Sequence, residues 1–418
     1  MSLLTLAWKS IRNRLFSVVL TVVSIALSVL LLVSVERVRH EARESFANTV
    51  AGTDLIVGAR GGQVQLLLYS IFRMGNATNN ISWESYQELR QHRDVAWTVP
   101  LSLGDSHRGF RVLGTNGDYF QHYRFGRKQA LSFRAGAAFD GVYDAVLGAD
   151  VARELGYGIG ESIVLSHGTG EVSLQEHGDQ PFRVVGILAK TGTPVDRTVH
   201  IRLQGMEAIH AGWVGGRPTA LSRLRRAPDP EALQPKSVTA VLVGLKSPMA
   251  VFQLQRYINE YRAEPLLAAM PGVALQELWD TLALVQQALL AISVMVVLVG
   301  ITGMATAMLA GLNERRREMA VLRSVGARPW HIFVLVQGEA LIIMLVSVVL
   351  GVSGMYLLHL LLAPWLEQQW GLYLSLRGLS PTECWLLGGA LVSGLSVGLV
   401  PAYRAYRFSL ADGMTVRL

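Results

Sequence analysis

The residues best suited to chemistry fall in one stretch: His167, Glu171, Glu176, His177 and Asp179, with Asp196 and His200 further along. Imidazoles and carboxylates at such spacing can ligate zinc, which makes His167 and His177 candidate metal contacts. No two histidines have the spacing of a helical zinc site, however, and "SHGTGEVSLQEHGDQPF" also reads as a flexible, solvated hairpin. A phosphate-cradling P-loop needs Gly-Lys-Ser/Thr. The five lysines are Lys9, Lys128, Lys190, Lys236 and Lys246, and none follows a glycine, so ATP is not hydrolysed here through that motif. "GYGIGE" at 156–161 follows a helical pattern and opens a strand, the reverse of a dinucleotide loop, and reads as a turn. "GLSVG" at 394–398 matches a nucleophile elbow in letters only. Its serine sits in an apolar run, and Gly394 with Gly398 fit a small-xxx-small helix contact instead. No catalytic residue is assigned, and the chain reads as a non-enzyme.

The elements that must position these residues follow from hydropathy. Of 418 residues, 51% are hydrophobic. Four runs reach the roughly 20 residues that cross a bilayer: 15–35, 282–312, 332–362 and 385–402. Residues 36–281, between the first run and the second, have ordinary globular composition, and 363–384 form a short loop between the third and fourth. The first run is about 21 residues long, exceeds the usual h-region of about 7–15 and has no A-x-A site after it, so it reads as an uncleaved span.

Charge gives the orientation. Segments 1–14, 313–331 and 403–418 carry net +3, +3 and +2, whereas 36–280 hold 26 basic and 25 acidic side chains. This is a positive-inside pattern with cytoplasmic termini, a cytoplasmic 313–331 loop and an outward-facing large domain. The basic balance therefore does not point to nucleic acid. With Cys384 the sole cysteine, no intrachain disulfide is possible. The spans hold almost no ionisable groups, save Glu339 and His359 near the ends of the third, which argues against a hydrophilic pore.

Within the large domain, "DLIVGAR", "VAWTVPLSLG", "GFRVLGT", "FRVVGILA", "RTVHIRL" and "SVTAVLVGL" read as strands. "SWESYQELRQHRD" reads as a helix capped by Ser82, and "PMAVFQLQRYINEYR" as a helix with proline in its first turn. The expected outer domain is α+β. Stalk helices follow span one and precede span two, and residues 215–236 form a loop.

Residues 313–330, "NERRREMAVLRSVGARPW", remain. Met319, Leu322 and Val325 recur at helical spacing, Gly326 can stop the helix, and Pro329 prevents an immediate restart. An interfacial helix in a positive-inside loop accounts for the arginines but not for so short and sharply bounded an apolar stripe.

The run from 313 to 351 resembles the conserved core of the MacB/FtsX-type ABC permeases, which include the lipoprotein-releasing permeases. "PAYRAYRFSLADGMTVRL" resembles that family's closing segment, where a proline ends the last span. The layout of one span, an outer domain and three further spans is similar too. The resemblance implies an α-helical membrane protein with four transmembrane helices. A large α+β, MacB-like periplasmic core is inserted between helices 1 and 2, in a bacterial inner membrane.

It further implies a coupling helix that docks a separate ABC ATP-binding subunit, carried here by Glu314, Arg315, Arg316, Glu318, Met319, Leu322, Arg323, Gly326 and Ala327. ATP and magnesium would be bound by that partner, not by this chain, and no cofactor is expected here. A homodimer of permeases, membrane lipids and a periplasmic adaptor or substrate-carrying protein are the other expected partners, with no nucleic acid. The implied work is export or extraction of lipoproteins, lipids, peptides or small amphiphiles by mechanotransmission. Two alternatives are an FtsX-like regulator of a periplasmic protein such as a cell-wall hydrolase, and a zinc-linked metal transport permease. The second draws on "QPFRVVGILAKTGTPVDRTVHI" and "DLIVGARGGQVQLLLYSIFRMGNATNNIS", which resemble a branch some of whose members sit beside zinc-responsive genes.

Overall fold

The computed structural model describes residues 15–49, 51–126, 128–167, 180–210, 213–214, 217–218, 233–370 and 377–407. Two compact units make up the chain. One is Ala42–Leu282 with Gln368–Tyr373, and the other is Met1–Glu41, Ala283–Glu367 and Leu374–Leu418.

The first unit is built on a mixed sheet. Its main path uses nine strands: β1 (Leu55–Ala59), β2 (Val95–His107), β3 (Phe110–Thr115), β4 (Phe133–Gly136), β5 (Asp144–Leu147), β6 (Phe182–Leu188), β7 (Thr198–Arg202), β8 (Ala240–Leu245) and β9 (Leu266–Ala269). Their order is β9-β1-β8-β2-β3-β7-β5-β6-β4. The pairs β3/β7 and β5/β6 are parallel and the other neighbours on this path antiparallel. β1 and β8 are apolar runs rather than alternations because both faces are covered. One face packs Ile56 and Leu242 with Leu67 and Tyr119, and the other packs Val57 and Val241 with Tyr86 and Leu254.

Each local element has a sequence cause. The helix α3 (Trp83–Gln91) is capped by Ser82, whose Oγ accepts from Ser85 N–H. α5 (Ala149–Leu155) stops at Gly156, which takes φ 71°, so "GYGIGE" is the turn after a helix. Among the described residues this unit has four further helices: α2 (Gln63–Ser70), α4 (Asp118–His122), α6 (Leu203–His210) and α7 (Val251–Asn259), the last entered through Pro248.

The second unit is helical. α1 (Leu15–Thr49), α8 (Pro271–Glu314), α10 (Pro329–Trp370) and α11 (Pro381–Arg407) are each long and apolar enough to cross a membrane. The 35 residues of α1 and 44 of α8 make rods of about 52 and 66 Å, beyond the roughly 30 Å of a hydrocarbon core. Without a hydrophobic drive between helices in lipid, close approach depends on small residues. A Cβ on Gly351 would lie 2.8 Å from the Ala26 carbonyl oxygen, and one on Gly394 would lie 2.5 Å from Met344 Sδ. Gly398 meets Ala340 in the same seam, at 3.0 Å from such a Cβ, and Gln337 Nε2 donates to the Leu395 carbonyl at 2.9 Å.

Two features go beyond the sequence reading. The helix itself does not stop at Pro401: α11 continues through it to Arg407. Proline's fixed φ suits a helix, and the cost is one backbone hydrogen bond and a local bend. Second, a buried charge knot closes the bundle at Arg37. Its Nε donates to Glu41 Oε1 at 3.0 Å, Nη1 to Glu383 Oε2 at 3.4 Å, and Nη2 to the Arg377 carbonyl at 2.6 Å.

Candidate functional site

The segment between α8 and α10 forms its own helix, α9 (Arg316–Ser324). It is set apart at both ends by named residues. At the start, Arg315 leaves helical geometry with φ −94° and ψ 5°, although its N–H still donates to the Gly311 carbonyl at 3.2 Å. At the end, Gly326 takes φ 102°. Its N–H donates to the Arg323 carbonyl at 3.1 Å, and the Ala327 N–H donates to the Leu322 carbonyl at 3.0 Å. This pair of bonds is a Schellman closure, which needs a residue that tolerates positive φ. α10 then begins at Pro329, where the missing N–H costs nothing. Glu318 in the first turn and Arg323 in the last both complement the helix dipole.

An ion pair anchors α9 to the bundle. Arg315 Nη1 meets Glu339 Oε2 at 2.8 Å, with side chains only 11% and 10% exposed, and Arg315 Nε faces Glu318 Oε2 at 3.4 Å. Glu339 belongs to α10, so this contact ties the end of α8 to the third span.

The apolar residues divide between two faces. Met319 and Ala320 are buried, and Met319 packs in the bundle core with Leu312, Ile332 and Val336. Leu322 and Arg323 are half-buried. Val321 is 56% exposed and Val325 83% exposed, four residues apart on one face. Trp330, at the start of α10, is 61% exposed and stacks on Phe333 with centroids 5.2 Å apart. Of the residues singled out by sequence, Arg315 and Met319 thus hold the helix in place, and Gly326 and Ala327 end it. The side chains of Glu314 and Arg316 lie outside the described residues. The exposed apolar side chains of Val321, Val325 and Trp330 were not among the residues assigned to coupling; Val325 stood out only by its spacing with Met319 and Leu322, and Val321 lies four residues before it.

The histidine stretch divides differently. His167 pairs by its backbone with Asp105 beside β2, and His177 and the loop 215–236 fall outside the described residues apart from 217–218 and 233–236, His167 being described by its backbone alone. Asp196 is committed to the N–H groups of Thr191 and Gly192, at 2.9 and 2.8 Å. His200 is fully buried, with Nδ1 3.2 Å from the Val146 carbonyl oxygen. Burial, and then the Arg73 guanidinium, push its pKa down to about 3, so it is a neutral core residue. Among the described residues no group of three or more His, Cys, Asp or Glu side chains could hold a metal.

Comparison with known proteins gives two matches to families. Residues 17–261, more than half the chain, match the MacB-like periplasmic core domain, and residues 290–410 match the FtsX-like permease C-terminal region. No curated protein sequence matches. Among solved structures, the periplasmic region of MacB from Actinobacillus actinomycetemcomitans is 11% identical, with a TM-score of 0.35 over 56% of this chain and 94% of that one. The extracellular domain of the noncanonic ABC-type transporter YknZ from Gram-positive bacteria is 12% identical, with a TM-score of 0.31 over 52% and 98%. With the core domain inserted between α1 and the later spans and the FtsX-like region running through the rest, the chain belongs to the MacB/FtsX-type permease superfamily, as a multi-pass inner-membrane protein whose large domain is periplasmic.

Proposed function

We propose that this protein is the permease subunit of an ABC mechanotransmitter, and that α9 is the helix its motor grips. Membership in the family implies a partner ATPase subunit and a membrane context. Four alternating spans with a periplasmic core after the first support a cytoplasmic position for α9, where such a partner would meet it. The observation that carries the reading is the exposed pair Val321 and Val325 on a short helix pinned by Arg315 and Glu339. Exposed apolar side chains on a capped, anchored helix offer a rigid contact to a protein surface. The Arg315–Glu339 pair supplies a path for force, because pushing α9 displaces α8 and α10 together.

In this scheme ATP-driven closure of the motor moves the spans, and work is done on the periplasmic side on lipoproteins, lipids, peptides or small amphiphiles. Two copies pair, one motor per copy, and a periplasmic adaptor or substrate carrier completes the assembly. The test is co-expression with its ATP-binding subunit and purification through a tag on this chain. Val321→Asp with Val325→Asp should abolish co-purification while the permease still elutes as a folded particle. Retention of the ATPase by the double variant would sink the assignment.

A further inference from the structure

The knot at Arg37 leaves two buried polar atoms unused. The first and third spans, α1 and α10, both run from the cytoplasmic to the periplasmic side, and they meet where the Arg37 guanidinium lies 5.3 Å from the centre of the Tyr356 ring. One turn further out on each helix stand Glu41 and His359. Both are buried, at 4% and 8% exposure. Glu41 Oε1 accepts from Arg37 Nε, but Glu41 Oε2 has no hydrogen-bond partner, and neither has His359 Nε2. When charged, His359 exerts a stronger pull on the Glu41 carboxyl than Arg37 does.

The charges around this pair do not balance. Arg37 faces the carboxylates of Glu41 and Glu383. Glu36 is paired with Arg39, Tyr356 donates its hydroxyl to the Arg377 carbonyl, and the Arg377 side chain is exposed. With an uncharged His359 the buried cluster therefore carries one negative charge too many, which is costly unless it is paired. Glu383 Oε2 also accepts from the Ser380 N–H at 2.6 Å, so the unmet charge falls on Glu41. Among the described residues no group of three His, Cys, Asp or Glu side chains could hold a metal. The cation that completes the cluster is thus a proton, which needs no cavity.

We infer that Glu41 and His359 form a proton-binding site at the periplasmic end of the bundle, and that its occupancy draws α10 onto α1. A proton from periplasmic water bonds to His359 Nε2, and the new N–H turns to Glu41 Oε2, so that both orphan atoms are satisfied by one charge-assisted bond. Imidazole suits the task because it is the side chain whose charge changes nearest neutral pH. Ionisable groups in spanning helices pair with one another and mark sites of function. Without the proton no hydrogen bond joins the two residues, which is the arrangement seen here.

The test uses the full chain in nanodiscs with nitrogen-15 in its ten histidines. The imidazole signal that disappears in His359→Gln is followed by NMR as the pH is lowered from 8 to 5. The expected result is a one-proton step whose midpoint falls by about one pH unit in Glu41→Gln, as loss of a close opposite charge requires. Glu41→Gln keeps an oxygen for Arg37, and Glu41→Asp, which keeps the charge, should restore most of the midpoint. An unmoved midpoint in Glu41→Gln, or an imidazole that stays neutral down to pH 5 in the native chain, would overturn the inference. Closure is read from nitroxides on Val38→Cys and Leu360→Cys, both exposed positions, in a Cys384→Ser background. Their separation should shorten on acidification and stay constant in Glu41→Gln; a separation that ignores pH in the chain with Glu41 intact would remove the link between α1 and α10. None of these readouts involves an ATPase, so the proton site and the α9 grip fail separately.

Discussion

Met319 lies within α9 and Val325 caps its end, one 5% and the other 83% exposed. Their shared spacing was legible in the sequence; the face each occupies was not, because that depends on where α8 and α10 enter and leave. The helix stop was legible, since a glycine followed by a proline three residues later has few other structural meanings. Its bonding pattern makes a specific expectation. Gly326→Ala puts a Cβ on a residue at φ 102°, so it should destabilise the α9 stop by about 1 kcal/mol or more. Weaker ATPase co-purification with unchanged permease yield would show this; full retention would count against a rigid α9.

At the scale of elements, the four spans were readable from hydropathy because lipid demands long apolar helices. Their seams were only partly readable. Gly394 and Gly398 could be picked out as a pair, but Gly351 could not, because its neighbours on α1 are over 300 residues away. The Arg37 knot was hidden for the same reason: Glu383 lies 346 residues from Arg37 in the chain. The two seams should respond unequally to an added methyl. At Gly394 the obstacle is the end of a flexible methionine, whereas at Gly351 it is the Ala26 carbonyl. Gly351→Ala should therefore cost more, about 1–3 kcal/mol of overpacking, than Gly394→Ala. Unfolding half-lives in detergent at one temperature give the comparison; equal half-lives would contradict the packing described for α1 and α10.

For the whole molecule, charge asymmetry and one large insert made the orientation and the α+β class legible, whereas the sheet order was not, since its two parallel pairs join strands distant in sequence. The core of the periplasmic unit also has a pH signature. Native His200 resists protonation down to about pH 3, while in the unfolded chain an imidazole takes up its proton near 6.5. Between those values the unfolded state binds one proton more, so this group lowers stability as pH falls through that window and contributes nothing above it. His200→Leu should flatten the slope of stability against pH by about 1.4 kcal/mol per unit between pH 4 and 6. Unfolding midpoints followed by tryptophan fluorescence would reveal this, and an unchanged slope would mean that His200 is hydrated.

The central claim is that α9 is the grip for a separate motor. The most direct measurement is ATP hydrolysis by the co-purified complex, for the native chain and for Val321→Asp with Val325→Asp. The account expects active, bound ATPase with the native permease and none with the double variant, at equal permease yield. An ATPase that stays bound and equally active on the double variant would contradict it.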